Sequence, residues 1–164
     1  MEQHSLDIIK KAILLEHRGK ALYDSVVHSS TVDEIKELFE ILASEEEKHI
    51  EILNSQFNRA ANGQDFEELE LKRAEQDTDK ILTKEIINAI SGAGYEAAVI
   101  AAALEFEKNA VEFYSQRAES AKLENEKKLY NWLSDWEKGH MAMLADLDKN
   151  LREQIWYDNS FWPF

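Results

Sequence analysis

The chain contains no cysteine, one proline and five glycines in 164 residues. Without cysteine there is no disulfide framework, no thiolate-bound zinc and no cysteine-ligated iron. The single proline is Pro163, next to the end, so no proline interrupts a helix elsewhere. Long apolar runs are missing too: the stretch from Ala97 to Leu104 falls far short of the roughly 20 residues that span a bilayer. Basic residues are scarce, 19 Lys and Arg against 33 Asp and Glu, for a formal net charge of -14. Such a surface repels phosphate backbones and anionic lipid, which argues against nucleic acid and membrane as partners. The start carries His4 and Asp7 without a basic segment, so no signal peptide is expected and the cytoplasm is the expected location. With 44% hydrophobic residues over 164 positions, the chain has the means to build one domain with a core.

What the chain does have is a repeat. Glu16, Tyr23, Glu46 and His49 recur 91 residues later as Glu107, Tyr114, Glu137 and His140. One Glu-x-x-His is weak as a motif, but two copies with their upstream Glu and Tyr in constant register are not. Apolar positions follow the same offset: Leu38 matches Leu129, Phe39 matches Tyr130, Leu42 matches Leu133 and Leu53 matches Leu144. A whole structural unit is therefore repeated. Within the run Glu45, Glu46, Glu47 the repeat selects Glu46, because Glu45 corresponds to Trp136 and Glu47 to Lys138.

Periodicity places these residues on helices. Ile9, Ile13, Glu16, Gly19, Tyr23 and Val26 recur in steps of three and four, as do Ile35, Leu38, Leu42, Glu46, His49, Leu53 and Phe57, so each ionisable motif sits inside an apolar stripe. Ser29, Ser30, Thr31 and Asp33 are turn and capping candidates between the two stripes. If the chain folds back near residue 31, Glu16 and Glu46 lie equally far from the turn and meet at one level. In the second half, Ile100, Leu104, Glu107, Val111, Tyr114 and Ala118 precede a turn expected near Lys122. Leu133, Glu137, His140, Leu144, Leu147 and Leu151 follow it. The predicted fold is all-α: a four-helix bundle of two antiparallel helical hairpins, 6–60 and 95–152, joined by a long crossover, 61–94, and followed by an aromatic C-terminal tail, 153–164. All of 1–164 reads as one domain.

Four carboxylates on the inner faces of a bundle are costly to bury without compensation, and their repulsion forces some to hold protons. Two divalent cations would cancel the four charges. A Glu and a His three residues apart on each of two helices, with a Glu from each of the other two, is the ligand plan of dinuclear carboxylate sites in bundle cores. Oxygen-rich ligation with one imidazole per ion suits iron or manganese, with zinc left open. The alternative without metal is a helical interaction module holding the six residues as a buried polar network. Its four inward glutamates would then have only two imidazolium partners.

At these residues the chain resembles the ferritin-like di-iron superfamily, and within it the rubrerythrin family, over most of its length. The resemblance implies two iron ions, with manganese or a mixed pair as variants. It implies Glu16 and Glu107 as terminal ligands, Glu46 and Glu137 as bridges, and His49 and His140 as nitrogen ligands. Tyr23 and Tyr114 match tyrosines that support the ligands in relatives, with hydroxyls expected to reach a carboxylate of the opposite half. The pattern departs at Leu104, where rubrerythrins place a further carboxylate, and Glu105 points to another face, so the redox-linked ligand exchange is not carried over. Rubrerythrins also carry a rubredoxin domain with cysteine-ligated iron, and with no cysteine in these 164 residues none is expected here. Electrons are then expected from an external donor protein. Bacterioferritins carry a haem-binding Met where this chain has Glu47, so no haem is expected.

The activity implied is oxidoreductase chemistry of the rubrerythrin kind, reducing peroxide or dioxygen in defence against oxidative stress, with a homodimer as the expected assembly. Ferroxidase chemistry with iron sequestration is the alternative at the same residues. In the crossover, Asn62-Gly63 signals a turn and Leu82, Ile86, Ile87 and Ile90 a short amphipathic segment ended by Gly92 and Gly94. This crossover either lies on its own bundle or is exchanged between protomers. Gly19 and Ala110 either leave room for a small oxidant or permit close packing. Trp132 and Trp136 fill space or carry oxidising equivalents away. His4, His17 and His28 are expected in solvent. The run from Ile155 to Phe164 is aromatic enough to dock on the bundle or on a partner subunit.

Overall fold

A computed structural model describes residues 3–68 and 94–158. Four helices make up almost all of it: α1, Gln3–Ser29; α2, Asp33–Ala61; α3, Gly94–Ser120; and α4, Glu124–Asp158. α1 packs along α2 and α3 along α4, and the two hairpins meet where α1 lies against α3. The hairpin turns occupy residues 30–32 and 121–123, where the chain was expected to fold back. No described helix is long and apolar enough to cross a membrane.

The turn before α2 is built differently from the expected serine or threonine cap. Val32 is the N-cap, in extended conformation and without a side-chain capping bond. The Ser30 hydroxyl is drawn instead to the backbone N–H of Val32, which donates to it at 3.1 Å. Val32 O accepts from Ile35 and Lys36, while Asp33 and Glu34 place negative charge in the first turn, where the helix dipole favours it. At the other end of α2 the Asn62-Gly63 signal holds. Gly63 adopts φ 74°, Gly63 N–H donates to Ala60 O and Gln64 N–H to Arg59 O, which is a Schellman closure needing a left-handed residue.

The crossover begins on its own bundle. Phe66 is buried in the apolar core, Glu67 N–H donates to Gln56 Oε1 at 2.9 Å, and Asn125 Nδ2 donates to Phe66 O at 3.0 Å near the start of α4. The segment Leu82, Ile86, Ile87, Ile90 with Gly92 lies outside the described residues. So do residues 159–164. The backbone of α4 continues to Asp158, so residues 153–158 extend the helix and do not form a separate tail. No Gly or Pro stands between Gly139 and Pro163 to stop it.

Side chains from all four helices form two apolar layers. One contains Val26, Leu38, Phe39, Leu42, Ile100, Ala103, Leu144 and Leu147. The other contains Ile9, Ala12, Leu53, Ala110, Ala118, Leu129, Tyr130 and Leu133. Along every helix the motif residues fall between the positions of one layer and those of the other. Two hydrophobic plugs thus close a polar level midway along the bundle, and this sets the dielectric in which the site must work.

Candidate metal centre

The four glutamates and two histidines of the repeat meet at that level. Glu16, Glu46, His49, Glu107, Glu137 and His140 come from four different helices, and none is more than 1% exposed. They form two groups of four: Glu16, Glu46, His49 and Glu137, and Glu46, Glu107, Glu137 and His140. Within each group, one ligand atom per residue lies within 4.8 Å of all the others. Glu46 and Glu137 belong to both groups.

The way those two carboxylates divide themselves explains the sharing. Glu137 Oε1 lies 3.2 Å from His49 Nδ1, while Glu137 Oε2 lies 3.1 Å from His140 Nδ1. Glu46 does the same, with Oε2 3.7 Å from His49 Nδ1 and Oε1 3.6 Å from His140 Nδ1. Each of these glutamates turns one oxygen to each half of the site. The other two serve one half each: Glu16 Oε2 is 3.1 Å from His49 Nδ1, and Glu107 Oε1 is 3.3 Å from His140 Nδ1. The tyrosines cross between the halves. Tyr23 O–H donates to Glu107 Oε1 and Tyr114 O–H donates to Glu16 Oε1, which fixes the carboxylate of the opposite hairpin in each case.

The donor atoms fit metal ions better than they fit one another. Glu46 Oε1, Glu107 Oε2, both oxygens of Glu137 and Nδ1 of His140 are buried without a hydrogen-bond partner among the described residues, although several lie within ion-pair distance of an imidazole. They are close but not aligned as donor to acceptor. Two donors each about 2.1 Å from one divalent ion, at a right angle, stand about 3 Å apart; the carboxylate oxygens lie 3.1–3.7 Å from His49 Nδ1 and 3.1–3.6 Å from His140 Nδ1, close to that spacing. Carboxylate and imidazole donors without sulfur suit iron or manganese.

Without metal the cluster redistributes protons. Burial drives the Glu46 carboxyl well above its usual range, reinforced by the charges of Glu137 and Glu16. Burial and the charge of Glu137 push Glu107 up to about 8. Glu137 is the exception: burial opposes its ionisation, but the His49 and His140 imidazoles close beside it outweigh that and hold it well below the carboxylate range. Both imidazoles are penalised by burial, yet the carboxylates around them raise their affinity for protons well above the ordinary value. Desolvation, followed by the nearby carboxylates, keeps both tyrosine hydroxyls protonated.

Sequence reasoning missed Glu45. Its carboxylate is buried and accepts the His140 Nε2–H at 2.5 Å and the Trp136 Nε1–H at 3.2 Å. Burial pushes this carboxyl up, but the hydrogen bond and charge of His140, with the Trp136 N–H, hold it below the usual range. A signal was present in the sequence. Glu45 and Trp136 are repeat mates, and mates beside a pseudo-twofold axis touch each other, so this break in the repeat marks two different second partners. Trp132 and Trp136 set their rings against His49, centroids 5.6 and 5.3 Å away and nearly perpendicular. Gly19 is explained by packing, since a Cβ there would lie 2.7 Å from Phe106 Cε1 and 3.4 Å from Glu46 Cδ. His17 and His28 are exposed, as is Glu105.

The fold and this cluster define an all-α bundle with a core of carboxylates and imidazoles arranged for a dinuclear centre. A family model described as Rubrerythrin matches residues 7–148, from α1 into α4, and the chain belongs to the rubrerythrin family. Membership implies a di-iron carboxylate site. Searches of curated proteins and of solved structures returned no match.

Proposed function

We propose that the protein is a dinuclear metal oxidoreductase that reduces peroxide, with two iron ions held by Glu16, Glu46, His49, Glu107, Glu137 and His140. The observation that carries this reading is the division of Glu46 and Glu137, each with one oxygen toward each imidazole. A pair of ions, when bound, supplies the two electrons that convert hydrogen peroxide and two protons to two waters. Glu46 and Glu137 would hold the pair together, and Glu16 and Glu107 would each fill one outer position. Tyr23 and Tyr114 keep those outer carboxylates in place by donating their O–H protons. The apolar layers above and below exclude bulk water, so the charges of the ligands act at full strength. Electrons then return from an external donor protein, and the working assembly is a homodimer.

The test is anaerobic reconstitution with ferrous iron, followed by metal analysis, mass by size exclusion, and addition of peroxide in known amounts. The expected result is about two irons per chain in a dimer and one peroxide consumed per pair of irons oxidised. Many irons per chain inside a large shell would establish sequestration instead. Protein that takes up no metal would leave the six residues as a structural polar network.

A further inference from the structure

The centre is close to symmetric in its inner parts. Each half has one terminal glutamate, one imidazole presenting Nδ1, one oxygen from each shared glutamate, and one tyrosine hydroxyl on its terminal carboxylate. Behind the imidazoles the symmetry fails. His140 Nε2–H donates to a buried carboxylate, Glu45 Oε2, at 2.5 Å. His49 Nε2 is buried and has no hydrogen-bond partner among the described residues; around its ring stand the indoles of Trp132 and Trp136. The cause is one repeat-breaking pair, Glu45 in the first unit and Trp136 in the second.

A carboxylate on the far N–H of an imidazole has two effects on the near nitrogen. It fixes the tautomer and the ring angle, so that the Nδ1 lone pair points where a ligand is needed. It also lends the ring anionic character, which strengthens Nδ1 as a donor. Only His140 receives both. His49 shares the carboxylates in front of Nδ1, but behind it Nε2 has no hydrogen-bond partner among the described residues and the Trp132 and Trp136 rings stand against the imidazole.

We infer that Glu45 is a positioning residue that makes the two metal positions unequal, so that the position of Glu107 and His140 fills first and more tightly than that of Glu16 and His49. This rests on the dinuclear reading above. Trp136 contributes to both sides of the difference, donating Nε1–H to Glu45 and walling His49 with its ring.

The experiment is an anaerobic titration of chelator-treated protein with cobalt(II), followed by calorimetry and by the visible absorption of the bound ion. The wild type should bind in two resolved steps. Glu45→Gln keeps the shape and removes the charge; it should weaken the tighter step about ten- to a hundred-fold, change the visible spectrum of the first-bound ion, and leave the weaker step in place. In the otherwise unchanged protein, His140→Ala should abolish the tighter step and His49→Ala the weaker one. The inference is overturned if Glu45→Gln leaves both steps and the spectrum unchanged, if it weakens both equally, or if His140→Ala spares the tighter step. Two steps no further apart than two identical positions would give also overturn it while leaving the dinuclear reading intact. A wild type that binds no cobalt removes both.

Discussion

Stripping the metal and then raising the pH should weaken the bundle, and the size of the loss follows from the buried carboxyls. In the metal-free fold Glu107 holds its proton up to about pH 8, because burial and the charge of Glu137 oppose ionisation. Glu46 is raised for similar reasons. The same side chains in the unfolded chain release their protons near 4.5. The stabilisation from these groups is complete below that value and is lost as pH rises through the folded values, since the folded state then binds more protons than the unfolded one. His49 and His140, raised above 6.5, act with the same sign. Glu137 acts oppositely, but its contribution is present above 4.5 and disappears only in acid. At about 1.4 kcal/mol for each tenfold in proton affinity, the rise at Glu107 from 4.5 to about 8 corresponds to about 5 kcal/mol. For a chain of this size 1 kcal/mol moves the melting temperature by about 2–4 °C. Calorimetry of chelator-treated protein should therefore show a fall on the order of 10 °C between pH 5 and pH 8. Ferrous or manganous ion, binding the native state alone, should raise the curve and flatten it. Glu107→Gln, neutral at every pH, should reduce the fall in the metal-free protein. A melting temperature that stays level or rises from pH 5 to pH 8 without metal would refute the reasoning.

Replacing Glu46 or Glu137 by Ala should leave fewer than two ions bound per chain, whereas Glu47→Ala, on an exposed position, should not; metal analysis after gel filtration decides. Tyr23→Phe and Tyr114→Phe should each cost about 1.5–3 kcal/mol in the metal-loaded protein, the usual worth of a hydrogen bond to a charged group, measured by denaturant unfolding. Gly19→Ala gains about 1 kcal/mol of helix propensity but drives Cβ to within 2.7 Å of Phe106 Cε1. The net change should be destabilising by about 1–2 kcal/mol, with Phe106→Leu in the same chain recovering part of it in thermal melts.

Much of this protein was fixed by local periodicity and by the repeat. Apolar residues in steps of three and four define helix faces whatever the rest of the chain does, and a Glu or His set in such a stripe must be carried inward with it. Equal spacing of Glu16 and Glu46 from one turn, and of Glu107 and Glu137 from the other, then forces all four to one level. The glycine at position 63 closes α2 by a rule that depends on φ alone. Tertiary packing decided the rest, because it depends on how two hairpins dock. No spacing within one helix says that Glu137 turns one oxygen to each imidazole, or that the Glu45 carboxylate, one residue from a repeated ligand position and unmatched by the repeat, lands on His140 Nε2. The same holds at Gly19, where the constraint is a ring from α3, and at the α2 N-terminus, where Ser30 answers the N–H of Val32 instead of capping the helix. Sequence periodicity chose which groups are buried together; the docking of the hairpins chose which atoms face each other, and the difference between the two imidazoles arises there.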